Sequence, residues 1–457
     1  MHTPTAGSLT PLKLPRGSIF MVGLTGMLMS LPGQTNGVSP FTDYLIDAVH
    51  IARDQLSLAY FFGTLTSALV LPHAGKLYDR WGSRITGSAA AAGLGLSLLL
   101  LTRLPSFIRV IASTGIPDPL AAMLSFWIGF FLIRFFGQGM LTLVSRNMIL
   151  KWFDDRRGFA NALIGIGLPL GFSAAPLLLN AVIQRMGWQS AWLVLGIVLF
   201  PFFSIVALLL YSDPEPQPAE KHSGVFSGAS QQHTGRVPGI LVPVARIMRR
   251  AGLRRTSEPM RPHTDWSLRS AQKTIAFWVF VLVTMLSGML VTGLTFHIVA
   301  IMGESGVGRE QALAIFLPTA VIAVAVHALG SIGSDFVSLK YFAVAHAAAL
   351  GMLLVSLQML TITPAAYWLV VIFQGLSLGL FGVNSAVVWP RFFGLVHLGA
   401  ISGFSNSFMV AGSALGPYTF SLMERVTGSF YSLLYVMGPV CLLLAVLSFK
   451  ADNPNRQ

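Results

Sequence analysis

The chain has 457 residues, of which 54% are hydrophobic and only 10% are charged, with a formal net charge of +13 and a mean hydropathy of +0.70. Soluble globular domains carry roughly a quarter charged residues, so an ordinary soluble protein is excluded. The apolar runs recur at about 20 residues each, the length a helix needs to cross the hydrocarbon core. The single cysteine, Cys441, excludes a disulfide framework and a cysteine-based zinc site. We interpret the sequence as an all-α membrane protein, because a β-barrel would show alternating strands of about 10 residues.

Twelve transmembrane helices are predicted, with six on either side of a long polar stretch. The predicted spans are 17–45, 54–75, 85–104, 120–147, 159–182, 189–211, 274–302, 310–333, 340–360, 365–388, 400–423 and 430–449. They predict five regions: a tail at 1–16, a six-helix bundle at 17–211, a linker loop at 212–273, a second six-helix bundle at 274–450 and a tail at 451–457. The tail at 1–16 lacks a clear signal-peptide cleavage site, and we expect it to be retained.

The distribution of the basic residues indicates orientation rather than a nucleic-acid partner. With both termini placed in the cytoplasm, most of the lysines and arginines fall on the cytoplasmic side, as the positive-inside rule requires. We therefore expect a multi-pass protein of the inner (plasma) membrane. Within the linker, residues 239–255 alternate apolar and basic side chains at helical spacing. Two interpretations stay open there: an in-plane helix on the anionic leaflet, or a solvated basic linker.

Span 1 is interrupted near its midpoint by the polar sequence "SLPGQTNGVS" at residues 30–39. Pro32 and Gly33 break helix hydrogen bonding, and such breaks are tolerated in membranes where they face protein or a water-filled cavity. We expect Gln34, Thr35 and Asn36 to form a polar window on the transport path. The alternative is a kink packed against a neighbouring helix.

The loop between spans 2 and 3 reads "GKLYDRWGSR" at residues 75–84. Its motif residues are Gly75, Leu77, Asp79, Arg80, Gly82 and Arg84. The pattern resembles the signature loop of the major facilitator superfamily. This resemblance implies two six-helix pseudo-repeats, transport by alternating access, and a gating role for the loop, in which Asp79 pairs with nearby arginines and helix N-termini. Ordinary positive-inside anchoring is the competing explanation.

Span 4 contains Arg134, the one clearly intramembrane ionised residue of the sequence, within "IRFFGQGM". The segment resembles the Arg-x-x-x-Gly motif of the same superfamily, and Gln138 follows one turn later. An intramembrane charge is expensive unless it faces a cavity or a partner, so Arg134 is a candidate for anion binding or proton-linked gating. Bonding to helix carbonyls is the structural alternative.

The segment "KWFDDRRGFANALIGIGLPLG" at 151–171 resembles the entrance to span 5 in monocarboxylate porters and oxalate/formate antiporters. Arg156 and Arg157 lie in its basic pair, which we assign to the gating motifs. The sequence departs from the monocarboxylate porters in lacking their acidic-Gly signature in span 1 and their Asp-Arg pair in span 8. The subfamily resemblance therefore covers only this region and a short match that opens span 6.

The two halves resemble each other. "GLPLGFSAAP" (167–176) matches "FMVAGSALGP" (408–417), which pairs Gly171 with Gly412 and Pro176 with Pro417. The same comparison pairs Asp79 with Asp335, which we add to the gating residues. A duplicated six-span unit is typical of secondary transporters, whose site lies between the repeats.

Polar side chains recur at helical spacing in the later spans. The candidates for substrate contact are Thr295, His297, Gln374, Asn384 and Asn406. In this superfamily spans 1, 4, 7 and 10 line the cavity, so the resemblance places several of them on the path. Alternatively, they hydrogen-bond to neighbouring helices, as most intramembrane hydroxyl groups do.

We predict a transporter, not an enzyme, that moves a small organic solute, preferably a monocarboxylate, with protons as a candidate coupling ion. No carboxylate lies at mid-depth, so the proton-carrying residue is unassigned and uniport stays open. We expect a monomer in the lipid bilayer without cofactor, metal or nucleic acid. The alternatives are a drug or metabolite efflux facilitator of the same superfamily and a non-transporting membrane sensor on this scaffold.

Overall fold

The computed structural model describes residues 15–153, 157–214, 266–394 and 396–455, and these ranges contain helices and no strands. The first group of helices has the bounds α1 Arg16–Met29, α2 Thr35–Val38, α3 Thr42–Val49, α4 Arg53–Leu101, α5 Leu104–Ala112, α6 Asp118–Ile133, α7 Thr142–Trp152, α8 Arg157–Ile197 and α9 Ser204–Leu210. The second group has the bounds α10 Leu268–Ala271, α11 Ile275–Gly303, α12 Arg309–Ala314, α13 Phe316–Gly333, α14 Leu339–Met359, α15 Ala366–Phe393, α16 Leu398–Thr427 and α17 Leu433–Ser448. The all-α prediction is confirmed.

Two of the long helices change direction at a glycine. In α4 the backbone of Gly82 has φ 73° and ψ 179°, and in α8 that of Gly187 has φ 79° and ψ 161°. Residues with a side chain rarely adopt these angles, so glycine is required at both corners. Each corner falls between two predicted spans, so each of these helices covers two predicted segments.

Eight helices among the described residues are long and apolar enough to cross a membrane. One of the eight runs from Leu163 to Leu210 and therefore contains the corner at Gly187. The broken first segment, α1 to α3, is not among them. The count of twelve spans and the exact limits of the two bundles stay predictions.

The buried apolar residues divide along the sequence. One cluster consists of residues from Ala271 to Ala451, with Leu177 packed against it. Three further clusters consist of residues between Ile19 and Tyr211, and one of these also contains Phe296 from α11. We refer to residues 15–214 and 266–455 as the first and second halves.

Small residues allow close helix packing at matching places in the two halves. A Cβ atom on Gly412 in α16 would lie 2.2 Å from the carbonyl oxygen of Met285 in α11. The paired residue in the first half, Gly171 in α8, faces Leu28 in α1 at 2.4 Å. Substitution of Gly412 would force the two helix backbones apart, whereas substitution of Gly171 would require the Leu28 side chain to move.

Candidate functional site

The helix of the first segment breaks where the sequence predicts it. Helix α1 ends at Met29, Leu31–Gly33 form one 3-10 turn, and Gln34 is extended with φ −89° and ψ 156° before α2 begins. The carbonyl of Gly33 is thereby released from the α-helical pattern, since the amide of Gly37 bonds to Gln34 instead. The break leaves a backbone acceptor inside the protein.

Arg134 satisfies that acceptor. Its side chain is buried (2% exposed), and Nη1 donates to the carbonyl of Gly33 at 3.2 Å and to Oγ1 of Thr35 at 3.4 Å. The guanidinium also lies 5.1 Å from the ring centroid of Tyr60 in α4, a cation–π distance. Tyr60 in turn shares a 2.9 Å hydrogen bond with Thr35.

A second group of polar side chains continues this arrangement toward α7. Gln34 donates from Nε2 to Ser30 at 3.1 Å and to Thr142 at 3.3 Å, and Thr142 donates to Ser30 at 2.9 Å. We call Ser30, Gln34, Thr35, Tyr60, Arg134 and Thr142 the polar junction. It brings together the predicted residues Gln34, Thr35 and Arg134 from two separate segments.

Two glycines allow the backbones of the two segments that form the junction to approach each other closely. A Cβ atom on Gly33 would lie 2.3 Å from the carbonyl oxygen of Ile133 and 2.8 Å from Cα of Gly137, and one on Gly137 would lie 2.9 Å from Cα of Gly33. The segment opposite, Arg134–Leu141, has π-helical geometry, which is frequent at functional sites. The π turn widens the helix where the broken segment packs against it.

The electrostatics of the junction favour an anion. Arg134 makes no ion pair with a carboxylate in the part of the chain that the structure describes, and its Nε atom is buried without a hydrogen-bond partner there. A buried guanidinium with neutral partners leaves a positive charge uncompensated in a medium of low dielectric constant. Such a group attracts a carboxylate, with which it can form paired charge-assisted hydrogen bonds.

Three further predicted site residues, Asn36, Gln138 and Asn406, do not belong to the polar junction. Asn36 donates to the carbonyl of Phe172 in α8 at 3.2 Å and thereby joins α2 to α8. Gln138, one turn after Arg134, is exposed, and so is Asn406 in α16.

Thr295 and His297 belong to a contact between the halves. Ser39 donates to the carbonyl of Thr295, and Nε2 of His297 lies 3.2 Å from Oγ of Ser57 and 2.9 Å from the carbonyl of Pro417. Both side chains are buried. In this conformation they close an interface rather than face open space.

This interface also contains residues that the sequence did not identify. We call it the seam, and its residues are Ser39, Pro40, Thr42, Asp43, Tyr44, Asp54, Ser57, Tyr60, Asn180, Thr295, Phe296, His297, Arg309 and Arg425. Seven hydrogen bonds join the two halves in the seam, and two of them are also ion pairs. The predicted topology puts it at the external end of the molecule.

Gln374 and Asn384 lie inside the second half. Each is 1% exposed, and Nδ2 of Asn384 is 3.2 Å from Nδ1 of His346 in α14. Among the described residues, Oε1 of Gln374 and Oδ1 of Asn384 have no hydrogen-bond partner. They are buried polar groups of the bundle, and neither contacts the polar junction.

The motif loop lies at the opposite end from the seam. Gly82 forms the corner of α4, while Asp79 and Arg80 are exposed; Arg84 donates from Nε to the carbonyl of Leu208, and a Cβ atom on Gly75 would meet nothing within 4 Å. The loop is thus attached to the end of α9.

The carboxylate at this corner is Asp213, which the sequence did not identify. It accepts hydrogen bonds from the backbone amide of Ser83 at 2.6 Å and the hydroxyl of Ser83 at 2.7 Å, and Nζ of Lys151 lies 3.1 Å away. Burial alone would raise the pKa of Asp213, but the bonds from Ser83 and Lys151 outweigh it and lower the pKa below its usual value. Asp213 therefore caps the helix that restarts after Gly82. The polar "SDP" directly after the sixth predicted span is the sequence signal for this residue.

Asp335, which the comparison of the two halves pairs with Asp79, forms an ion pair. Asp335 forms a 3.0 Å ion pair with Arg391 at the end of α15, where Arg391 also donates to the carbonyl of Ser334. Arg157 is the first residue of α8. Arg156 and the basic segment 239–255 lie outside the described residues.

A family model links this geometry to known proteins. The model of the Major Facilitator Superfamily matches residues 19–417. The chain belongs to the major facilitator superfamily. It is a multi-pass membrane protein of a family of transporters, whose members act on small molecules.

Relatives share shorter segments. The chain is 28% identical over 172 residues to the MFS-type transporter hasB of Aspergillus fumigatus, covering 36% of this chain and 34% of the relative. It is 26% identical over 151 residues to Monocarboxylate transporter 6 of Mus musculus, covering 33% and 29%. The matches thus span about a third of the curated relatives.

Among solved structures, the nucleoside transporter NupG (D323A mutant) is similar with a TM-score of 0.64 at 11% identity, covering 96% of this chain and 100% of that one. At this identity the likeness concerns the fold alone, and it extends over nearly the whole molecule.

Proposed function

We propose that the chain is a secondary transporter of a small organic anion, preferably a monocarboxylate, and performs no chemical conversion. The observation that carries the proposal is the buried Arg134, whose identified partners are a carbonyl, a hydroxyl and an aromatic ring. The local similarity to a protein named as a monocarboxylate transporter agrees with this substrate class.

Alternating access supplies the transport cycle. With the seam joined, the predicted external end is closed, and we assign this conformation to the inward-facing state. A carboxylate that binds Arg134 would neutralise its charge and lower the penalty for closing the site, because a paired buried charge is far less costly than an unpaired one. Occupancy would then shift the populations of the two states.

The test is uptake of labelled lactate, pyruvate and oxalate into proteoliposomes, with and without a pH gradient. We expect saturable carboxylate uptake that Arg134→Gln reduces at least about tenfold, since one charge-assisted bond pair is removed. Arg134→Lys keeps the charge but loses the planar fork, and should retain intermediate uptake. Arg269→Gln, which changes an exposed arginine in α10 that belongs to none of the predicted motifs, is the matched control. Full uptake by Arg134→Gln would exclude the anion-binding role.

A drug or metabolite efflux facilitator is the second candidate. An aromatic surface favours it: Trp278 is exposed and contacts the rings of Phe404 and Phe408 at 6.1 and 6.0 Å. Tight binding of a large lipophilic cation without carboxylate uptake would support this function instead.

The same uptake assay tests the coupling ion. A pH gradient that changes carboxylate uptake would indicate proton coupling, and a gradient without effect on uptake would indicate uniport.

A further inference from the structure

The strongest unassigned cluster lies in the seam, around Arg309 at the start of α12. Its Nη1 forms a 3.0 Å ion pair with Oδ2 of Asp43, its Nε donates to Oδ1 of Asn180 at 2.8 Å, and its Nη2 donates to the carbonyl of Pro40. The guanidinium also lies 4.7 Å from the ring centroid of Tyr44. One side chain of the second half therefore holds four groups of the first half.

All four groups separate from Arg309 together when the halves part. They belong to α3, to α8 and to the turn before α3, so no partner of Arg309 identified in the described chain would move with it. Opening the seam therefore exposes the whole guanidinium at the mouth of the pathway. The bonds concerned are charge-assisted, and they are stronger than those between neutral groups.

Asp43 is bound by two arginines at once. Oδ1 accepts from Nη2 of Arg53 at 3.0 Å, while Oδ2 accepts from Arg309. Two positive charges thus share one negative charge, and Nη1 of Arg53 is buried without a partner among the described residues. The neighbouring acid Asp54 is already paired with Arg425. In these ion pairs three arginines thus share two carboxylates, and Arg309 already binds a carboxylate that belongs to the protein itself.

The ion pair between Arg309 and Asp43 is not sealed from solvent. The side chains of Arg309 and Asp43 are 20% and 27% exposed, so the pair is half-buried rather than sealed. A free carboxylate presents the same two oxygen atoms to a guanidinium as Asp43 does. It can therefore exchange with Asp43 without changing the chemistry of the bond.

We propose that Arg309 is both the latch of the seam and a second recognition site for carboxylates, at which an incoming carboxylate replaces Asp43. Replacement removes the ion pair between the halves, so carboxylate binding favours the open seam. Arg309 then captures the substrate at the mouth before it reaches Arg134. This inference rests on the proposed function for the identity of its ligand.

Two substitutions separate competition from simple latching. Arg309→Gln and Asp43→Asn both break the ion pair, so a purely mechanical latch predicts that both shift the KM for carboxylate in the same direction. Competition predicts opposite shifts, because Asp43→Asn removes the competitor and lowers the KM, whereas Arg309→Gln removes the binding group and raises it. We expect each shift to be several-fold for uptake from the predicted external side.

A labelling assay reports the seam directly. In a Cys441→Ala background, Thr42→Cys places a thiol at a seam position that is 2% exposed, and its rate of modification by a charged maleimide measures opening. We expect added acetate, used as the probe at constant ionic strength with chloride as reference, to raise this rate several-fold. The rise should vanish when Arg309→Gln is added.

The matched control is Arg425→Gln. Arg425 also bridges the seam, to Asp54, but its side chain is 67% exposed and solvent screens the pair. It should change the labelling rate by less than about twofold and leave the acetate response intact. The inference would be overturned if Arg309→Gln and Asp43→Asn shifted the KM in the same direction. An acetate response that survives Arg309→Gln would also overturn it.

The two proposals fail separately. If acetate opens the seam through Arg309 while Arg134→Gln retains full uptake, the role of Arg134 is wrong and the latch stands. If Arg134→Gln abolishes carboxylate uptake while Asp43→Asn and Arg309→Gln shift the KM in the same direction, the role of Arg134 stands and the recognition role of Arg309 is wrong. The labelling assay needs no transport, so it decides the latch even if no carboxylate is taken up.

Discussion

Asn36 donates a hydrogen bond to the one backbone carbonyl of α8 that Pro176 deprives of its helical donor. The carbonyl is that of Phe172, four residues before the proline, and the donor atom Nδ2 lies 3.2 Å away. Proline has no N–H group, so this acceptor has no partner within its own helix. The polar break in the first segment thereby supplies the donor that Pro176 removes from α8.

A double-mutant cycle tests this relationship. Asn36→Ala should lower the free energy of unfolding by about 1 kcal/mol, because the carbonyl of Phe172 loses its donor. Pro176→Ala restores a backbone N–H, so in that background Asn36→Ala should cost less than about half as much. Thermal unfolding in detergent measures both, and equal costs in the two backgrounds would contradict the explanation.

The contact between Gly33 and Gly137 predicts a steep packing effect. Gly33→Ala brings a methyl group 2.3 Å from a backbone oxygen that cannot move independently of its helix. We expect a loss of roughly 2 kcal/mol or more in stability, at the upper end for overpacked sites. Gly165→Ala is the control, since a Cβ atom there meets nothing within 4 Å. A Gly33→Ala protein as stable as Gly165→Ala would show that the two segments are not in backbone contact.

Asp213 predicts a specific pH dependence. Because its pKa is lowered in the folded protein, its contribution to stability is complete above the pKa of the unfolded chain and disappears as the pH falls through the folded value. Asp213→Asn should therefore lower the melting temperature at neutral pH and flatten the loss of stability on acidification. Asp79→Asn, which changes an exposed carboxylate three residues before the Gly82 corner, should leave the melting temperature unchanged. Identical pH profiles for Asp213→Asn and the wild type would refute the capping role.

Gln374 distinguishes a structural amide from a transport residue. Its Oε1 atom is buried without a partner in the described part of the chain, so Gln374→Met, which has a similar shape, removes an unsatisfied group. Stability should be unchanged or rise by up to about 1 kcal/mol. Uptake should stay at the wild-type level if the side chain belongs to the bundle interior. A loss of uptake with full stability would return Gln374 to the substrate path.

The sequence predicts those features that are local. Hydropathy locates the helices, Pro32 and Gly33 locate the break, and the cost of an intramembrane charge identifies Arg134. Each of these signals is complete within one helix. These signals predict which segments form the polar junction, but they do not predict the bonds that Arg134 makes.

The seam could not be predicted because its contacts join distant segments. Asp43 and Arg309 are 266 residues apart, and Asp43 by itself already satisfies the usual expectation for an acid in the first turn of a helix. The burial of Gln374 and Asn384 was equally inaccessible, since helical spacing shows that polar residues share a face but not what that face contacts. Asp213 directly precedes a proline-rich stretch that reads as a linker, so its capping role emerges only from the corner at Gly82.

Phe296 gives the transport cycle a thermal signature. The side chain belongs to the second half but is buried in the apolar core of the first, 4.6 Å from the ring centroid of Tyr60. Parting the halves would wet this ring, and exposure of apolar surface carries a positive heat-capacity change. The van't Hoff plot of the equilibrium constant between the open and the closed seam should therefore be curved rather than linear.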